Sequence, residues 1–180
     1  MSSKILVFVE GDTEEGFLRG LAERLSLRLK VIKMRGNRPD KLRGWLKVHR
    51  PHRCIVLKDL HRRSEEFVEE LKRQLARLKI ELQLSEEPRV VLVRRAIEAW
   101  FLADEVALKE MFGCDVPAIE NPEALSDPAR KLSELLRARG KEYVKSYWVA
   151  RKIAEILDIR KVSKKSKSFS EFLRSIKSLS

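Results

Sequence analysis

Cysteine is nearly absent from this chain: its 180 residues include only Cys54 and Cys114, far apart and matching no metal-binding or redox spacing. That argues against a disulfide framework. Cys54, which opens the apolar run Cys54-Ile55-Val56-Leu57, is expected to be a small buried hydrophobe. Long apolar stretches are missing as well, none approaching the ~18 residues of a membrane span. Met1-Ser2-Ser3-Lys4 leads straight into a strand-like run without the apolar core of a signal peptide, so the expected location is the cytoplasm. Asn and Gln are scarce beside abundant Lys, Arg and Glu, a balance that leans towards a thermophilic source. No internal repeat is found.

What the chain does contain is a core and a strong charge imbalance. Hydrophobic residues make up 43% and charged residues 37%, too apolar for intrinsic disorder and too charged for a membrane protein. The net charge is +12 and the sequence pI about 9.9. Residues 129–180 carry 15 Lys/Arg against 5 Asp/Glu, which leaves only +2 for residues 1–128. A basic C-terminal third is the footprint of a polyanion partner, or else a solvated, salt-bridged helical surface.

Ile5-Leu6-Val7-Phe8-Val9 is a continuous apolar run stopped by Glu10-Gly11-Asp12, the pattern of a strand buried on both faces in a parallel sheet. Asp12 or Thr13 is expected to cap a helix carrying Phe17, Leu18, Leu21 and Leu25. A second strand follows at Leu29, Val31 and Ile32. Beyond the turn signal Gly36-Asn37-Arg38-Pro39-Asp40 lies a short helix around Leu42, Trp45 and Leu46. The third strand, Cys54–Leu57, ends at Lys58-Asp59. A long helix begins near Ser64, and Val90–Val93 is the fourth strand. Helices are then expected at Ile97–Phe112, Pro128–Arg139, Tyr147–Leu157 and Phe169–Leu179, with a basic linker, residues 160–167, before the last. Trp45, Trp100 and Trp148 read as core residues rather than base-stacking platforms. The fold class is therefore α/β, a mostly parallel sheet of about four strands with helices on both faces. The α/β core spans residues 1–112, and a basic helical extension, residues 113–180, packs on it as part of a single domain.

In such a sheet, ligands bind beyond the C-terminal strand ends. Glu10 closes the first strand, Asp59 the third, and Glu98 follows the fourth by one short turn, while Glu14 can face the same crevice from the first helical turn. Hard cations such as Mg²⁺ need clustered oxygen ligands and complete their shell with water and substrate phosphate. Each residue also has a plainer role. Glu14 suits a helix N-terminus, Asp59 could cap the next helix, and Glu98 could be a solvated helix residue. Glu10 is harder to explain away, because a charge closing a buried strand is costly unless paired or metal-bound. Arg62, Arg63, Arg94 and Arg95 flank these acids and could orient phosphates or simply balance charge.

Val9-Glu10-Gly11-Asp12-Thr13-Glu14-Glu15 resembles the opening motif of Toprim-like domains, the fold of topoisomerases, primases and OLD-type nucleases. Lys58-Asp59-Leu60-His61 sits where that family has a paired Asp-x-Asp. Ile97-Glu98-Ala99-Trp100-Phe101-Leu102-Ala103-Asp104 is similar to a Glu-x-Trp segment of an uncharacterised branch, as is the pattern Lys141, Lys145, Ile153-Ala154, Phe169 and Phe172-Leu173. The resemblance implies a Toprim/Rossmann-like α/β fold and a divalent-metal-dependent nuclease or related phosphoryl-transfer domain. Glu10, Asp59 and Glu98 would be its catalytic residues. Glu10, Glu14, Asp59, His61 and Glu98 would ligate Mg²⁺ or Mn²⁺. His61 departs from the family's second acid; imidazole suits Mn²⁺ or Zn²⁺ better than Mg²⁺, and could instead carry a proton or contact phosphate. Arg62, Arg63, Arg94, Arg95, Lys161, Lys164, Lys165 and Lys167 are the expected nucleic-acid contacts, and an ATPase the expected protein partner. The alternative expectation is a non-catalytic nucleic-acid-binding or regulatory subunit with a degenerate metal site.

Overall fold

The computed structural model describes residues 4–35, 39–60 and 64–179. Four parallel strands, β1 (Ile5–Val9), β2 (Leu29–Lys33), β3 (Cys54–Asp59) and β4 (Arg89–Val93), form one sheet in the order β2-β1-β3-β4. Every residue of β1 and β3 is buried, as the unbroken apolar run of β1 requires of a central strand. Alternate side chains divide between two cores. Ile5, Val7 and Val9 face Phe17, Leu18 and Leu21 of α1 (Asp12–Arg24), whereas Leu6 and Phe8 face Leu42 and Leu46 of α2 (Pro39–His49) and Leu75, Leu78 and Leu82 of α3 (Glu65–Leu82).

The chain steps from β1 to β2 on one side and then crosses to β3 on the other. The order therefore reverses between β1 and β3, and a crevice opens at their C-terminal ends. Glu10 and Asp59 sit at that switch point.

The remaining helices are α4 (Glu98–Leu102), α5 (Glu105–Phe112), α6 (Pro128–Arg137), α7 (Tyr147–Ile156), α8 (Ile159–Lys165) and α9 (Lys167–Leu179), with a short 3-10 turn at Pro122–Ala124. They share the β1–α1 core: Leu132, Ala150, Ile153, Phe169 and Phe172 are all fully buried in it. Two glycines explain how closely α7 lies on α1. A Cβ at Gly16 would stand 2.0 Å from the Tyr147 carbonyl oxygen, and one at Gly20 2.6 Å from that of Arg151. Among the described residues, no helix is long and apolar enough to cross a membrane.

Several expectations need correction. The single helix expected at Ile97–Phe112 is two, because Asp104 breaks it and caps α5 by accepting hydrogen bonds from Val106 N and Ala107 N. The basic linker of residues 160–167 is largely helical, since Asp158 caps α8 in the same way. Gly11, not Asp12 or Thr13, is the N-cap of α1, with the Glu14 carboxylate accepting from Gly11 N at 3.1 Å. Only Trp100 is a core tryptophan; Trp45 is 36% and Trp148 68% exposed. The turn at Gly36-Asn37-Arg38 and the residues His61, Arg62 and Arg63 lie outside the described residues.

Candidate active site

The switch point gathers acids from three places. Asp59 ends β3 and is 5% exposed; Glu14 stands in the first turn of α1; Glu98, wholly buried, opens α4. The Glu14 carboxylate stands close enough to Asp59 to disfavour its ionisation. Burial, followed by the negative charges of Glu14, Glu98 and Glu10, holds the Asp59 carboxyl well above its ordinary range. Burial also raises Glu14, against the pull of its own backbone hydrogen bond, and Glu98 and Glu10 add to the rise. Four acids are thus within electrostatic reach of one another.

Their partners differ. Glu98 Oε1 accepts from the Tyr143 hydroxyl at 3.0 Å and lies 3.0 Å from Lys145 Nζ. Burial and the neighbouring Glu98 raise the Tyr143 hydroxyl far above the usual phenol range. Burial opposes the charged form of Lys145, yet Glu98, Asp59 and Glu14 outweigh it and raise the ammonium. Glu10 turns to Lys58, whose Nζ is 2.6 Å from Glu10 Oε1 and whose side chain is only 2% exposed. The same ammonium lies 5.9 Å from the centre of the Phe67 ring. Glu10 is thus the acid with a buried cation beside it, while still adding to the negative field at Glu14 and Asp59.

Two oxygens stand out. Among the described residues, Asp59 Oδ1 and Glu98 Oε2 are buried with no hydrogen-bond partner, a costly condition for a carboxylate. Unsatisfied hard oxygens beside mutually repelling acids are the donor set that suits a hard divalent cation. Among the described residues, however, no group of three or more His, Cys, Asp or Glu side chains stands ready to hold one.

The basic residues separate as well. Arg95 follows β4 into the crevice with a left-handed backbone, φ 69°, while Arg94 beside it is exposed. Lys161 bridges Asp104 at 3.2 Å and Glu105 at 2.7 Å, and Lys165 lies 3.6 Å from Glu105 and from Glu120. These two lysines tie α8 to the start of α5 and to Glu120. Lys164 and Lys167 are exposed, Lys167 being 3.9 Å from Glu171. Sequence reasoning did not assign Lys58, Tyr143 or Lys145 to the site. Lys58, directly following a buried apolar run, was a signal within the sequence; Tyr143 and Lys145 meet Glu98 across some 45 residues of chain, which no local pattern records.

With this geometry in hand, comparison with known proteins decides the family. The family model described as "Domain of unknown function (DUF4276)" matches residues 9–177, nearly the whole chain. The chain belongs to that family. Of solved structures, the C-terminal region of the Burkholderia pseudomallei OLD protein is similar to this DUF4276 chain over 100% of both, with a TM-score of 0.57 and 18% identity. The C-terminal region of the Xanthomonas campestris pv. campestris OLD protein is similar over 98% of this chain and 95% of its own, with a TM-score of 0.53 and 14% identity. At such identities the likeness is one of fold: a four-stranded parallel sheet with helices around it and a C-terminal helix. No curated protein matches the chain.

Proposed function

We propose that this chain is a Toprim-like, divalent-metal-dependent nuclease or related phosphoryl-transfer domain acting on nucleic acid. The observation that carries the reading is the pair of buried, unpartnered oxygens, Asp59 Oδ1 and Glu98 Oε2, within an acidic group at the topological switch point. Fold likeness to the C-terminal regions of OLD proteins supports it, as does the resemblance of the Glu10–Glu15 segment to the Toprim opening motif.

In this reading Glu14, Asp59 and Glu98 hold Mg²⁺ or Mn²⁺, with His61 and Glu10 as further candidates. When bound, the ion supplies charge stabilisation at a phosphoryl oxygen and eases deprotonation of water. The chain's own groups do the rest. Tyr143 and Lys145 fix one oxygen of Glu98 and leave the other for the ion. Glu10, 20% exposed at the rim and oriented by Lys58, is the group placed to exchange a proton with solvent. Arg94 and Arg95, with Arg62 and Arg63, orient the phosphate backbone, and the exposed Lys164 and Lys167 are further phosphate contacts. An ATPase partner and a cytoplasmic location belong to the same reading.

A non-catalytic nucleic-acid-binding module is favoured by one observation, the lack of a ready-made cation-holding group among the described residues. Mn²⁺ titration separates the two. A catalytic site binds Mn²⁺ saturably and loses it in Asp59→Asn and Glu98→Gln. Metal-dependent cleavage of single- or double-stranded DNA or RNA should then disappear with the same substitutions. Equal cleavage by wild type and Asp59→Asn defeats the assignment.

A further inference from the structure

A cleft of about 790 Å³ adjoins the acidic group and is lined by Arg95, Asp127, Arg130, Ser133, Tyr143 and Lys145, among others. Tyr143 and Lys145 are the two residues that also hold Glu98, so the cleft and the acids share a wall. Three cationic side chains line it, of which Lys145 pairs with Glu98 and Arg130 with Glu134 outside the lining, and Asp127 is the one carboxylate among the lining residues. That carboxylate already accepts a hydrogen bond from Arg130 N at 2.9 Å as the cap of α6. Arg130 donates its Nε to Glu134 at 2.8 Å, which fixes the guanidinium at the first turn of a ten-residue helix. Ser126 and Ser133 add hydroxyls to the lining. Arg95 lines the cleft from a left-handed backbone, φ 69°.

A concave site of this size with cations and hydroxyls is suited to a phosphate ester with a sugar-sized body. We infer that this cleft seats one nucleotide unit of a nucleic-acid strand, its phosphate between Arg95 and Arg130, next to the bond that the acids would act on. This inference rests on the phosphoryl-transfer reading and gives it a substrate-positioning subsite; the two fail separately.

The test uses the full chain in EDTA, titrated calorimetrically with thymidine monophosphate, thymidine and a short phosphorylated oligothymidylate. The monophosphate should bind about tenfold or more tightly than thymidine, the effect of one charge-assisted phosphate contact. The oligonucleotide should bind more tightly still. Arg130→Met, and Arg95→Asn, which tolerates the left-handed backbone, should each weaken monophosphate binding about tenfold. Both variants should melt close to wild type and titrate Mn²⁺ unchanged. Equal binding of monophosphate and nucleoside, or arginine variants that bind like wild type, overturns the subsite. An oligonucleotide no better than the monophosphate overturns its assignment to a strand. Wild type that binds the monophosphate but no Mn²⁺ leaves the cleft standing and removes the metal reading instead.

Discussion

Asp59 and Asp104 are both buried aspartates, 5% and 2% exposed, yet their surroundings are opposite. Asp104 is saturated: it accepts from Val106 N, Ala107 N and Asp158 N, and Lys161 Nζ lies 3.2 Å away. Asp59 has one oxygen without a partner and three acids for electrostatic neighbours. Glu123 repeats the first pattern, accepting from Ser166 Oγ, Lys167 N and Ser168 N to lock α9 in place. A buried acid whose oxygens are all answered by backbone and cation holds the fold together. One with an oxygen left over, among other acids, costs stability instead.

The largest expected effect breaks the satisfied side. Asp104→Ala removes the α5 cap, orphans Asp158 N and strips Lys161 of a partner, and should lower unfolding stability by about 3 kcal/mol in urea denaturation. Next comes filling the unsatisfied side. Mn²⁺ at roughly a hundred times its Kd should stabilise the wild type by about 2.7 kcal/mol and Glu98→Gln by almost nothing, read as a shift in Tm.

Asp59→Asn should raise stability by about 1 kcal/mol at pH values above the raised titration of Asp59, where it removes a repelled buried charge. The pH dependence carries the same sign. The folded Asp59 and Glu14 carboxyls titrate above their ordinary values, so the folded chain binds more protons than the unfolded one between those values and the raised ones. Their contribution is full below the ordinary carboxylate range and is lost as pH rises through the folded values. Wild type should lose stability across that window more steeply than Asp59→Asn in denaturation at successive pH values, and Mn²⁺ should offset the loss. The smallest effect is at the surface. Lys167→Ala, at 3.9 Å from Glu171, should change stability by less than about 0.5 kcal/mol, but should reduce the salt dependence of nucleic-acid binding if that lysine meets phosphate.

Much of the fold was legible because it follows from local rules. The unbroken run Ile5–Val9 reads as a doubly covered strand, and the alternation of strands and helices implied the parallel sheet. What misled was capping. Asp104 and Asp158 fall within or beside helical and basic patterns, and only their hydrogen bonds to backbone N–H groups reveal that one splits a helix and the other starts one. The tryptophans show a similar limit: Trp148 lies in an apolar-looking segment, but the α7 face that meets Gly16 and Gly20 is the other one.

Glu10 and Asp59 were visible as residues at strand ends, because a charge after a buried run has to be answered by something. Which acid answers to which group was not. That Glu10 belongs to Lys58, that Tyr143 and Lys145 take one oxygen of Glu98, and that Asp59 is left facing Glu14 depend on distances between chain segments remote in sequence. The sequence by itself determined the elements, the parallel sheet and the rim where charges gather, since these follow from periodicity and the cost of burial. Only the tertiary structure decided which charges cancel and which remain, because Coulomb and hydrogen-bond energies fall off over a few ångströms and chain order does not encode such separations.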